Sequence, residues 1–186
     1  KIAFKNLLNE NKIIIKNVEF HGITLSDLLI NNKTFSNVNF INVKLNNIKF
    51  ENVNFENSDF NNIEFLNSDF TNSQFENSKM LHLVFEGSHF ENFQFNNNDL
   101  THGRIENSKF NSNNEIINNK IRDFYLRNID FNNNKIKFNN FDFVEIINVK
   151  NLKSQFIKNT FNHVEFNNIN FSNENLDNIS YSNVKF

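Results

Sequence analysis

Residues 50–80 read FENVNFENSDFNNIEFLNSDFTNSQFENSKM. Phe50, Phe55, Phe60, Phe65, Phe70 and Phe75 fall five residues apart, and Met80 takes the next place. Asn52, Asn57, Asn62, Asn67, Asn72 and Asn77 each follow two residues after a ring. On an α-helix a step of five turns the chain by roughly 140°, so the rings would spiral around the whole cylinder. On a flat strand side chains alternate, and residues five apart face opposite ways. The rings can share one interior only if the backbone turns a corner once per unit. The chain then winds as a coil with its aromatic residues on the axis. Self-similarity at a fixed period is the mark of a solenoid.

The unit is a small or β-branched residue, a polar one, Phe or Leu, a polar one, then Asn. NSDFTNSQFENS at 67–78 carries it without a break. In this the chain resembles the pentapeptide-repeat proteins, whose unit is typically Ala or Ser, Asp or Asn, Leu or Phe, a polar residue, then Gly or Asn. The resemblance covers nearly the whole chain. It implies an all-β fold, a right-handed quadrilateral β-helix with four units per coil. It says little about function, because one fold hosts many roles.

The 186 residues suffice for one domain with a sizeable core. Cys, Pro and Trp are absent and Phe occurs 25 times, so no disulfide or thiolate metal site can form. No apolar run approaches the roughly 18 residues of a membrane span. The many asparagines would also suit a disordered low-complexity tract. Aromatic residues at so regular a spacing bury far more surface than disordered chains do. A net charge of −2 gives no gross basic signal, so neither direct nucleic-acid binding nor membrane binding is expected.

Residues 1–14 are irregular, with Ile2, Phe4, Leu7 and Leu8 apolar but out of register, and read as an N-terminal cap or the join to a further segment. Residues 15–186 read as a single β-helix domain of about eight coils, roughly 40 Å long at a strand spacing near 4.8 Å. In the first array the core rings continue as Phe85, Phe90, Phe95 and Phe110. A second inward position lies two residues before each centre. It is Val18, Ile23, Leu28, Val38, Val43, Ile48 and Val53 early, then Ser58, Ser68, Ser73, Ser78, Ser88 and Ser108; the serines read as packing residues that tighten the corners. From Phe110 to Ile121 is eleven residues, and Glu115 stands at the expected centre. This predicts a loop or bulge at 111–120. The second array resumes from Ile121, with core residues Phe131, Phe156, Phe161, Phe166 and Phe171, and further centres at Leu176, Tyr181 and Phe186. It has a second irregularity at 147–153, around Asn151. Phe138 and Phe143 fall outside the inward positions. The start at Lys1 without Met and the end on a centre suit a domain of something longer.

His82 and His102 are twenty residues apart and should stack on one face about 5 Å apart. A zinc site needs three or four convergent ligands, so the plainer reading is an exposed pair standing in an asparagine column. Gly22, Gly87 and Gly103 make no phosphate loop, and there is no nucleophile elbow. No cofactor, metal, small-molecule substrate or catalysis is expected.

Charge is more informative. From Glu51 to Glu106 there are ten acids against two bases, Lys79 and Arg104, while both flanks are basic. Glu51, Glu56, Glu76, Glu86, Glu91 and Glu106 are the candidate interaction surface. The plainer reading is a solvated, solubilising band. The function expected is a non-catalytic interaction or scaffold module for an unidentified protein partner. It could be the β-helical domain of a larger bacterial protein such as a secreted effector. The expected location is the cytoplasm, or a host cell if an effector carries the domain. The family resemblance implies an alternative, a DNA-mimicking inhibitor or protector of DNA gyrase and related type II topoisomerases.

Overall fold

The structure, a computed structural model, describes residues 2–9, 13–131, 134–150, 155–171 and 180–185. The expected centres Leu176 and Phe186, and 151–153 of the second irregularity, lie outside the described residues. One helix, α1 (Ile2–Asn9), precedes an all-β parallel solenoid. Ile15, Phe35, Phe55, Phe75 and Phe95 stack on one side in parallel register, twenty residues per step. Four five-residue units therefore close each turn, and the solenoid has four sides and about eight turns.

The corners explain the asparagines. At the described corners the residue two places after the centre has positive φ, as low as 47° at Asn67, except after Phe110, where Asn113, three places on, takes the corner at 68°. Asn is among the few residues that accept this left-handed region readily. Its amide also bonds along the axis: Asn37 donates to Asn17 at 2.6 Å, Asn62 to Asn42 at 2.9 Å and Asn168 to Asn148 at 2.7 Å.

Inside, rings stack face to face between turns and edge to face within a turn. Phe40 and Phe60 lie 5.0 Å apart at 3°, Phe55 and Phe75 4.5 Å at 12°, and Phe65 meets Phe70 at 5.3 Å and 73°. Both arrangements suit the aromatic quadrupole. The core rings named from the sequence, from Phe50 to Phe166, are buried; Phe171 is half-buried. Phe4 of α1 plugs the first turn, 4.4 Å edge-on from Phe20 and 6.2 Å from Phe35. That covers an end which would otherwise present open strand edges.

The inward serines do more than pack. Ser58 Oγ accepts from Val38 N–H at 3.1 Å and donates to the Glu56 carbonyl at 2.9 Å. Ser58 N–H donates in turn to Ser78 Oγ, and Ser78 N–H to Asn98 Oδ1. Asn119, Asn139 and Asn159 continue this buried column, each accepting a backbone N–H from the turn before. Their amide nitrogens donate to the carbonyls of Phe95, Ile116 and Ile136. The packing role is thus corrected: these side chains satisfy buried backbone groups that the strand ladder leaves over.

The break is also narrower than 111–120. Phe95 pairs with Ile116, twenty-one residues on, so one residue is inserted. Ser112 and Asn113 form a turn, and Asn113 takes the corner with its amide on Asn92 at 3.3 Å. The wall resumes at Glu115–Ile117, and buried Ile116, not Glu115, fills the centre. A corner absorbs an extra residue without shifting the pleat of the sides, as a bulge does.

Candidate surface groove

The six candidate glutamates do not share a face. Glu56 pairs in register with Glu76 on one side, and Glu86 with Glu106 on another. Glu51 and Glu91 lie on a third, with Thr71 between them. They form a belt. Elsewhere charge alternates from turn to turn, with Lys44–Glu64 at 2.9 Å, Glu115–Lys135 at 2.7 Å and Glu165–Lys185 at 2.8 Å, while Arg122 reaches Asp99 diagonally at 3.4 Å and His89 Nδ1 lies 3.1 Å from Asp69. In-register stacking sets equivalent positions side by side, so opposite charges on successive turns avoid repulsion. Each such exposed pair contributes little, because water and salt screen it. Arg104 lies 3.8 Å from Glu86 and 3.6 Å from Glu106, offsetting that acidic pair. The Lys185 ammonium holds the Glu165 carboxyl below its ordinary range, and Glu165 raises Lys185 in return.

One corner column departs from asparagine for five turns: His82, His102, Asp123, Phe143 and His163. The His82 and His102 rings stack at 5.6 Å and 22°. His102 Nδ1 lies 3.6 Å from Asp123 Oδ2. Phe143 and His163 stack at 4.4 Å and 1°, and His163 Nδ1 lies 3.8 Å from Asp142. Among the described residues no three His, Asp or Glu converge as a metal site. The column forms one wall of an open groove of about 990 Å³; Glu64, Val84, Arg104, Tyr125, Glu145 and Glu165 form the other. Gly103 sits in this lining. A Cβ there would come 2.4 Å from the ring of Phe124 and 2.5 Å from the Leu83 carbonyl oxygen. The glycine is needed because Phe124 fills the axis beside it.

Phe138 and Phe143 occupy corners, with φ of 59° and 54°. A bulky ring is an outlier there, strained by about 1–3 kcal/mol. Yet the two are 49% and 56% exposed, and Tyr125 is 49% exposed. Lys158 Nζ lies 5.6 Å from the Phe138 ring centroid. The sequence shows both rings two places after Ile136 and Phe141, which is the corner signal. Sequence reasoning missed buried Phe93 and Phe124, though each lies two places before a centre.

The family model described as pentapeptide repeats matches residues 19–57 and 48–80, in 8 copies. No curated protein matches the chain in sequence. Among solved structures, the chain is similar to HetL, a pentapeptide repeat protein involved in heterocyst differentiation regulation in the cyanobacterium Nostoc sp. strain PCC 7120. Identity is 6%, over 96% of this chain and 92% of HetL, with a TM-score of 0.39. Full-length QnrB1, a plasmid-mediated fluoroquinolone resistance protein, gives 12% identity over 91% and 94%, with a TM-score of 0.34. The catalytic domain of a GH87 α-1,3-glucanase gives 11% identity over 98% of this chain and 56% of that one, with a TM-score of 0.45. Superpositions this loose carry no argument about function. The repeat pattern at 19–80 is the one the pentapeptide-repeat model describes, and the same five-residue corner geometry recurs as far as Asn168.

Proposed function

We propose that the rod is a non-catalytic module that binds a protein partner, alone or as a scaffold within a larger bacterial protein. The proposed setting is the cytoplasm, or a host cell where a secreted effector carries the rod. The observation that supports it most is the exposed aromatic group Tyr125, Phe138 and Phe143 on two successive turns. Two of these rings stand at corners where Asn serves the fold better, so folding does not account for them. Exposed aromatics of this kind are what protein interfaces use as anchors. The test places a photo-crosslinking phenylalanine analogue at position 138 in living cells of the source organism. The reading expects one discrete crosslinked protein, competed away by untagged rod. No crosslink above the background of an analogue placed at Glu91, on the side of Phe90, Phe110 and Phe131 that does not border this corner, would contradict it.

The acidic belt favours a second reading, mimicry of DNA towards a type II topoisomerase. Its acids reach three sides, as charge surrounds a duplex, but Lys44 and Lys49 on one flank and Arg122 and Arg127 on the other would oppose a positive saddle. A gyrase supercoiling assay decides: inhibition that disappears when Glu76, Glu86 and Glu91 are changed to Lys supports mimicry. No inhibition at micromolar rod removes it.

A further inference from the structure

We infer that the groove between the His82–His163 corner and the Glu64–Glu165 column holds a basic, extended segment of a protein partner, with an arginine or lysine side chain seated over Phe143 and Tyr125 against Glu145. The inference rests on the partner-binding reading and assigns it a site and a chemistry. Shape comes first. The groove runs along the axis from Asn62 to His163, five turns at about 4.8 Å each, or roughly 24 Å. That accepts about seven residues of extended chain. Its lining carries four carboxylates, on Glu64, Asp123, Glu145 and Glu165, against one guanidinium, on Arg104. Arg104 is already engaged by Glu86 and Glu106. Glu145 lies in register between Tyr125 and Glu165, so its neighbours along the column are an aromatic ring and a like charge. Glu64 and Glu165 already hold Lys44 and Lys185, so a cation arriving there meets the Glu145 carboxylate and two exposed rings.

The neighbouring corner of the same turn shows the chemistry at work. There Phe138 stands in the same left-handed geometry, and the chain's own Lys158 lies over its ring at 5.6 Å. At Phe143 the next turn supplies the flat ring of His163 instead of a lysine. One face of Phe143 is thus covered and the ring remains 56% exposed. Aromatic rings attract cations through their negative faces, more strongly for partly desolvated ones, and a guanidinium can also stack on them. The carboxylates add the charge complementarity that guides such a segment into place.

The test uses fluorescein-labelled hexa-arginine as the probe, read by fluorescence anisotropy at physiological salt with the whole chain. Phe143→Asn is the informative variant, because it restores the residue the corner prefers. It should leave the melting temperature unchanged or raise it while weakening probe binding tenfold or more. Glu145→Gln should weaken binding several-fold, and Glu91→Gln, on another side, should leave it unchanged. Three results would each overturn the proposal: no saturable binding by the unaltered rod, equal binding by Phe143→Asn, or an equal loss in Glu91→Gln. A rod that crosslinks a partner through position 138 yet ignores hexa-arginine would overturn this site alone and leave the partner-binding reading standing.

Discussion

At Phe138 the backbone holds a bulky ring at φ 59°, while Asn118, one turn earlier in the same corner, holds 58° with a side chain suited to it. Relieving left-handed strain of about 1–3 kcal/mol should outweigh losing the Lys158 contact, worth about 0.5–1 kcal/mol at an exposed site. Phe138→Asn is therefore expected to stabilise the rod by about 1 kcal/mol, seen as a higher urea midpoint at unchanged slope. A lower midpoint would show that the ring packs usefully. Gly103→Ala works the other way. Its Cβ would press on the Phe124 ring and the Leu83 carbonyl, and overpacking of this kind costs about 1–3 kcal/mol. Adding Phe124→Leu should recover part of that loss; a stable single variant would mean that the wall can shift. The Glu165–Lys185 pair sets a modest pH window. Glu165 titrates lower in the fold, so its contribution is full above its unfolded pKa and fades as pH falls through the folded one. Lys185 titrates higher, so its share is full below its unfolded pKa and fades as pH rises through the folded one. Both groups are exposed, so denaturation midpoints should shift only slightly at either extreme.

At the scale of the element, the side wall depends on two kinds of column. Ring columns were legible at once, because Phe at a period of five has no other economical explanation. Phe60→Ala should cost about 3–5 kcal/mol, as a core truncation in the middle of a stack. In the polar columns the serines read as packing from the sequence, and the asparagines that continue them gave no signal of an inward place. Ser58, Ser78, Asn98 and Asn119 change residue type along the chain, and only the coil shows that each serves the backbone of the turn before. Asn119→Ala should strand the Asn98 N–H and the Phe95 carbonyl, at about 1–3 kcal/mol for each buried group left bare. Asn119→Ser should be milder, because a hydroxyl can still accept the N–H. Denaturation of the two variants side by side checks the order; equal midpoints would mean that the ladder contributes little.

For the whole molecule, the decisive detail is the single residue inserted at the corner of Ser112 and Asn113. Before it, columns repeat every twenty residues, and across it every twenty-one. The sequence puts His82 and His102 in one column, but Asp123, Phe143 and His163 join them only once the insertion is placed at a corner. That is why the groove was not legible beforehand while the coil was. The belt of glutamates, by contrast, is continuous in sequence and divided in space, because consecutive units face different sides. The corner turn is also the expected first site of limited proteolysis within the arrays, at Ser112–Asn113, since Asn114 and Ile116 beyond it are buried. First cleavage within 50–80 would contradict this.

The register that builds the groove can be tested covalently, because the chain has no cysteine of its own. Thr101 and Arg122 are outward register neighbours across the insertion. Paired strands set their Cα atoms about 4.8 Å apart, within disulfide range. The account predicts that Thr101→Cys with Arg122→Cys oxidises completely in the folded rod, whereas Thr101→Cys with Ile121→Cys, whose side chain points into the core, stays reduced. Preferential coupling of 101 with 121 would place the extra residue elsewhere, and the corner column with its groove would not exist.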